Sequence, residues 1–234
     1  MSRLSVQFRA AASPGWPIHT RHVLALLALL CLFLLAGPMA PDARAGLFGS
    51  REVERTGALA TFRKWDGVLD RYGTEQTVVP PPCRGRGYDA CPYPDWVGFI
   101  ERTSRLDKLS QLQEVARYFD RLRYIEDMPN WGQNDYWATP GQFISRNGDC
   151  EDFAISKYAT LRHLGWSLSD LRIVYVQDLN LQIGHMVLAA TLDGTTYILD
   201  NQARNQLVRH DRIRHYRPVY SLSGDRWWRH IPRR

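Results

Sequence analysis

From Glu52 to Tyr72 the chain is polar, with Ala58, Phe62, Trp65 and Leu69 recurring at spacings of three and four, a pattern that predicts an amphipathic helix. Val78 to Pro94 breaks the period with prolines and glycines and reads as a loop. From Asp95 to about Glu126 a second helical stretch puts Leu109, Leu112, Ala116, Phe119 and Leu122 on one face, the stripe of a core-packing surface. Residues 127–148 carry no period, are rich in Trp, Asn, Pro and Gly, and end in Asn147-Gly148. A third helix is predicted from about Cys150 to Leu164, with Gly165 as its stop. Beyond it the period becomes that of strands: Leu171–Gln177, His185–Leu192, Thr195–Asp200 and Val219–Leu222. Helices first and antiparallel strands afterwards predict an α+β domain.

The N-terminus follows a different pattern. Arg3, Arg9 and Arg21 precede an almost unbroken apolar run from Val23 to Ala36, and Ala43-Arg44-Ala45 is a small-x-small site. Residues 1–45 therefore read as a signal peptide cleaved after Ala45, leaving residues 46–234 as a single domain outside the cytoplasm. An uncleaved anchor is the alternative, but the run is short against the roughly 20 residues of a membrane span. No later stretch is long enough to cross a bilayer. Over 234 residues, 44% hydrophobic and 23% charged excludes a disordered, collagen-like or coiled-coil chain. The net charge of +6 does not single out a nucleic acid as partner, because Arg3, Arg9, Arg21 and Arg44 against Asp42 place half of it in the N-terminal segment. Arg226, Arg229, Arg233 and Arg234 read as a solvated tail, with Trp227 and Trp228 leaving a minority case for surface contact.

Cys31 leaves with the signal peptide. Cys83 and Cys91 flank a turn-rich stretch, where an exported chain closes a local disulfide readily, although two unlinked thiols remain an alternative. Cys150 is left without a partner, inside Asn147-Gly148-Asp149-Cys150-Glu151-Asp152. Asp149 is a good helix N-cap and Asp152 stands three residues on, as a capping-box acid does, so Cys150 falls in the first helical turn. Exposed backbone N–H groups and the helix dipole favour a thiolate there. The three flanking acids oppose it by raising the thiol pKa. A hard cation such as calcium would neutralise them, and carboxylates are the ligands it takes; simple capping acids are the competing reading.

A nucleophilic Cys needs a base. Of the histidines left in the exported chain, at 163, 185, 210, 215 and 230, His185 is favoured by strand geometry. Asp193-Gly194 between two apolar runs signals a two-residue hairpin turn. Such a turn pairs Leu192 with Thr195 and, counting outward, His185 with Gln202. Asp200 then shares the face of His185 at a diagonal of about 7–8 Å. A three-residue turn would put the two on opposite faces. A satisfied core histidine and a strand-ending Asp remain the plain alternatives.

At these residues the chain resembles a known family, the bacterial transglutaminase-like cysteine proteinases. The resemblance lies in Trp131-Gly132-Gln133-Asn134-Asp135-Tyr136-Trp137-Ala138-Thr139-Pro140 and in Gly148-Asp149-Cys150-Glu151-Asp152-Phe153-Ala154-Ile155-Ser156-Lys157-Tyr158. It continues through Leu161-Arg162-His163-Leu164-Gly165, Gly184-His185-Met186-Val187-Leu188, Leu199-Asp200-Asn201 and Arg217-Pro218-Val219-Tyr220-Ser221, spanning about residues 95–228. It implies a papain-like, transglutaminase-type fold with Cys150 as nucleophile, His185 as general base and Asp200 as orienting acid. It further implies calcium at Asp149 and Glu151, with Asp152 beside them. Members of this kind work in the periplasm. Their substrate is a large surface adhesin, cut near a paired-alanine site in its N-terminal region so that it leaves the outer membrane and biofilm attachment is lost. Their activity is restrained by the periplasmic domain of an inner-membrane cyclic-diguanylate receptor. The chain departs from the family at Gly184, where Ala is expected. Trp131 and Trp137 are candidates for the cleft wall, and a monomer is expected. Acyl transfer to an amine, amidase action on cell-wall peptides and a catalytically silent binding module remain the alternative functions.

Overall fold

The computed structural model describes residues 46–56, 62–77, 83, 85, 90–204 and 206–233. The predicted signal peptide, Ala58 and most of the predicted loop after Val78 lie outside the described residues.

The first element corrects the sequence reading. Arg51–Thr56 is a strand, β1, and the helix α1 begins only at Arg63, running to Glu75. Helical period and burial coincide in α1 at Trp65 and Val68, whereas Leu69 stays exposed. The predicted stretch after Asp95 is two helices, α2 (Pro92–Thr103) and α3 (Lys108–Phe119). They are separated because Asp107 caps α3 by accepting from the Ser110 N–H at 3.0 Å. Leu112, Val115, Ala116 and Phe119 of α3 face the core, while Leu109 is exposed. The segment 127–148, read as irregular, holds two short helices, α4 (Asp127–Trp131) and α5 (Pro140–Arg146). Alpha-helix α6 (Cys150–His163) follows the predicted bounds and ends at Gly165, whose φ of 78° only glycine adopts without strain.

Six further strands follow: β2 (Leu171–Asp178), β3 (Ile183–Leu192), β4 (Thr195–Leu199), β5 (Leu207–Arg209), β6 (Tyr216–Ser223) and β7 (Arg226–Ile231). All pairings are antiparallel, in the order β1-β7-β6-β2-β3-β4-β5. Of the expected solvated tail, Arg226 and Arg229 lie in strand β7, held between β1 and β6, while exposed Arg233 follows the strand and Arg234 lies outside the described residues. This segment is a strand because its residues alternate: Trp228 and His230 turn inward, Arg229 outward. Arg172 and Arg226 lie over the Trp228 ring at 4.0 and 5.3 Å.

Helix α6 is buried on nearly every side, from Glu151 to Leu161, because α3, α5, β2 and β3 all pack on it. The main core joins its Phe153, Ile155 and Leu161 to Ile173, Met186 and Leu188 of the sheet. Burying each such side chain contributes about 1.5–3 kcal/mol. Alternate residues Val174, Val176, Val187, Ala189 and Ile198 point to the other face, covered by Leu47 and Phe48 of an N-terminal turn and by Ile213 and Tyr216. A disulfide joins Cys83 to Cys91, with Cα atoms 5.8 Å apart. Ala45–Arg234 forms one compact unit. Among the described residues no helix is long and apolar enough to cross a membrane.

Candidate active site

The start of α6 is built by packing as well as by its own cap. Asn147 turns the chain with φ 64°, and a Cβ on Gly148 would overlap the Asp152 carboxylate. Asp152 is fully buried and accepts from the Ala138 N–H at 2.7 Å and from the Asp149 N–H at 3.4 Å, the latter being the reach-back of a capping box. Cys150 follows in the first turn, half-buried and free of any disulfide. Its thiol donates to Glu151 Oε2 at 3.1 Å. Burial and then the charges of Glu151 and Asp149 push that thiol well above the ordinary cysteine range.

The segment before α4 adds a residue that sequence reasoning missed. Ile125 N–H donates to the Gly148 carbonyl at 2.8 Å, and a parallel bridge joins Tyr124 to Gly148. This tether brings Asp127 beside Asp149 and Asp152, and one carboxylate oxygen from each lies within 4.8 Å of the others. Asp127 Oδ2 accepts from the Tyr136 N–H, but its Oδ1 and the Oδ1 of Asp149 are buried with no hydrogen-bond partner among the described residues. Burial pushes Asp127 up to about 6, and burial together with the neighbouring carboxylates raises Asp149 and Asp152. Converging carboxylates with orphaned oxygens fit a hard divalent cation, which takes oxygen ligands and relieves their repulsion. Glu151 groups instead with Asp149 and the thiol. The sequence signal for Asp127 was slight, since it stands far from the Cys150 motif in a stretch without period.

The predicted base and acid come together. Asp193 and Gly194 both have positive φ, 49° and 76°, in a two-residue turn, and the ladder runs from Leu192↔Thr195 to Leu188↔Leu199 as the hairpin signal required. His185 Nε2 lies 2.9 Å from Asp200 Oδ1, with both residues buried. Asp200 also accepts from the Gln202 N–H at 2.9 Å and, through Oδ2, from the Tyr216 hydroxyl at 2.6 Å. Burial works against the charged form of Asp200, but the bonds from His185 and Tyr216 outweigh it and hold the carboxyl below its ordinary range. The Met186 N–H, next to His185, lies against the Cys150 sulfur, so β3 meets the helix start at this point. With Nε2 committed to Asp200, Nδ1 is the imidazole nitrogen left for the thiol.

Around these groups, Trp137 is buried in the core and donates to Asp135 Oδ1 at 2.9 Å, while Trp131 is half-buried against Tyr136 and under Arg146. A Cβ on Gly184 would overlap the Tyr175 ring, which stacks on Tyr220 at 5.2 Å; glycine here makes room for that aromatic pair. Lys157, two turns along α6 from Cys150, is fully buried, and its ammonium has no hydrogen-bond partner among the described residues. Burial brings it down to about 8, opposed by the charge of Asp200.

Comparison with known proteins places this geometry in context. A family described as the bacterial transglutaminase-like cysteine proteinases matches residues 97–233. The chain resembles the solved structure of calcium-bound Legionella pneumophila LapG, with 29% identity and a TM-score of 0.55, over 70% of this chain and 86% of that one. It is similar to a second structure of Legionella pneumophila LapG at 30% identity and a TM-score of 0.55, over 69% and 87%. The EGTA-treated form of the same protein gives 30% identity and a TM-score of 0.55, over 69% and 84%. The curated proteins gave no match.

Proposed function

Because the chain belongs to the bacterial transglutaminase-like cysteine proteinases, we propose that it is a calcium-dependent cysteine endopeptidase with Cys150 as nucleophile, His185 as base and Asp200 as orienting acid. The observation that carries this reading is a free thiol in the first turn of a buried helix, set against the strand whose His185 is hydrogen-bonded to Asp200.

In this reading Asp127, Asp149 and Asp152 hold the calcium, with Glu151 beside them. Calcium supplies positive charge where these acids otherwise keep the thiol protonated. His185 takes the Sγ proton, and the sulfur bonds to the carbonyl carbon of the scissile peptide. The Cys150 N–H at the helix start donates to the oxygen that becomes negative. As the C–N bond breaks, His185 returns the proton to the leaving amine and a thioester remains. Water, deprotonated by His185, opens the thioester and restores the thiol. Asp200 keeps the imidazole in the tautomer and orientation these transfers need.

The calcium reading is supported by the calcium-bound and EGTA-treated forms of the similar Legionella protein. The substrate we assign from the family resemblance is the N-terminal region of a large surface adhesin, cut near a paired-alanine site in the periplasm to end biofilm attachment. The assigned restraint is the periplasmic domain of a cyclic-diguanylate receptor, and residues 1–45 are the assigned export signal.

The test is cleavage of such an adhesin fragment by the chain from Gly46, with calcium and with excess chelator. We expect calcium-dependent cleavage that falls by about 10³-fold or more in Cys150→Ala. Cleavage that survives chelation would remove the calcium role. Cleavage that survives Cys150→Ala would overturn the mechanism, and a labelled amine incorporated in place of water would make the chain an acyl transferase.

A further inference from the structure

We infer that the basic cleft bordering the His–Asp pair is a docking site for an acidic stretch of the polypeptide substrate, an inference that rests on the proteolytic reading above. Between β5 and the start of β6 the chain reads Val208-Arg209-His210-Asp211-Arg212-Ile213-Arg214-His215-Tyr216-Arg217, four arginines against one acid. That acid is already engaged, because Arg209 grips Asp211 through two nitrogens at 3.2 and 2.6 Å. Arg212 and Arg214 are exposed and make no hydrogen bond or close ion pair among the described residues.

Both arginines line a cavity of about 380 Å³, with Phe48 and Gly49 of the N-terminal turn, His210 and Tyr216. The Phe48 N–H donates to His210 Nδ1 at 3.1 Å, so the neutral ring carries its proton on Nε2 and offers a further donor. Guanidinium forks and an N–H donor are the groups that recognise carboxylates.

Position turns this charge into a substrate argument. Tyr216 is the wall shared by the cavity and the catalytic pair: its hydroxyl bonds Asp200, and its ring lies 5.8 Å from the His185 ring and 5.9 Å from the Phe48 ring. The cavity therefore lies one side chain away from the His185–Asp200 pair.

The experiment is fluorescence anisotropy of a fluorescein-labelled oligoglutamate peptide, with an oligoglutamine counterpart, against the calcium-supplied chain from Gly46. We expect saturable binding of the oligoglutamate alone, weakened about tenfold by the double change Arg212→Ala, Arg214→Ala. A control, Arg102→Ala with Arg105→Ala, removes the same charge elsewhere and should leave binding unchanged, with thermal melts confirming that both variants fold. Equal weakening by the two variants, or no oligoglutamate binding, would overturn the site. Inorganic phosphate competing as well as the peptide would mean that the cleft takes a small free oxyanion, which also overturns the proposal. Binding is read without turnover, so it stands apart from cleavage. A chain that cuts but does not bind loses only this site, and one that binds but does not cut loses the proteolytic reading.

Discussion

Asp200 is held by three donors, the His185 imidazole, the Gln202 N–H and the Tyr216 hydroxyl. A hydrogen bond to a charged group contributes about 1.5–3 kcal/mol, and part of that fixes the carboxylate against His185. Tyr216→Phe removes the hydroxyl and keeps the ring. We expect kcat to fall about tenfold with KM nearly unchanged, since about 1.4 kcal/mol of positioning is lost. The acid limb of the kcat/KM profile should also move to higher pH, because Asp200 loses a donor that favours its ionised form. A lower melting temperature with an unmoved pH profile would reduce Tyr216 to a packing residue. At this scale the sequence was legible where geometry was local. The Asp193-Gly194 turn fixes the strand register, and alternation then puts His185 and Asp200 on one face. Tyr216 and Asp127 were not legible, because each reaches the site through packing between distant segments that no spacing encodes.

Among the elements, those with strong local signals were readable. Helix α6 starts at an Asp cap and ends at a glycine with positive φ, and β2 to β4 are apolar runs bounded by turns. Strand β1 was misread as helix because Arg51-Glu52-Val53-Glu54-Arg55 is charged on both faces, and it becomes a strand only by pairing with β7. The short helix α4 was hidden in an aperiodic stretch, yet its first residue, Asp127, completes the carboxylate cluster. This gives opposite expectations for Asp127→Asn in two conditions. Without calcium, removing one of three crowded carboxylates should raise the melting temperature by about 2–4 °C, the effect of roughly 1 kcal/mol in a domain of this size. With calcium, the stabilisation on adding the ion should shrink, because the folded state holds it less tightly. Thermal melts in calcium and in chelator check both. An unaltered calcium response would exclude Asp127 from the ligand set.

For the molecule as a whole, the α+β class was readable from the order of periods, but the strand order was not, since β1 and β7 come from opposite ends of the described chain. What ties those ends is a buried imidazole. His230 Nδ1 meets the Ser50 hydroxyl at 2.8 Å and Nε2 the Ser221 hydroxyl at 2.9 Å, while Glu52 lies 3.7 Å away and bonds Arg172 at 2.6 Å. Burial brings His230 down to about 4 from its ordinary 6.5, although Glu52 pulls the other way. The unfolded chain therefore binds more protons in that interval. The contribution of His230 is whole above pH 6.5 and is lost as pH falls toward 4. We expect the urea midpoint to drop between neutral pH and pH about 5, and His230→Gln to flatten that part of the profile. A profile unchanged by the substitution would place the acid sensitivity elsewhere.

The buried ammonium on the helix that begins at Cys150 has a practical consequence. The lysines of the chain are Lys64, Lys108 and Lys157, and the first two are at least partly open to solvent, while Lys157, on α6, is fully buried. An amine-directed label therefore reaches Lys157 only when the central helix opens. Its labelling rate, read by peptide mapping, is a built-in clock for the integrity of the helix that carries Cys150, and it runs whether or not a substrate is known.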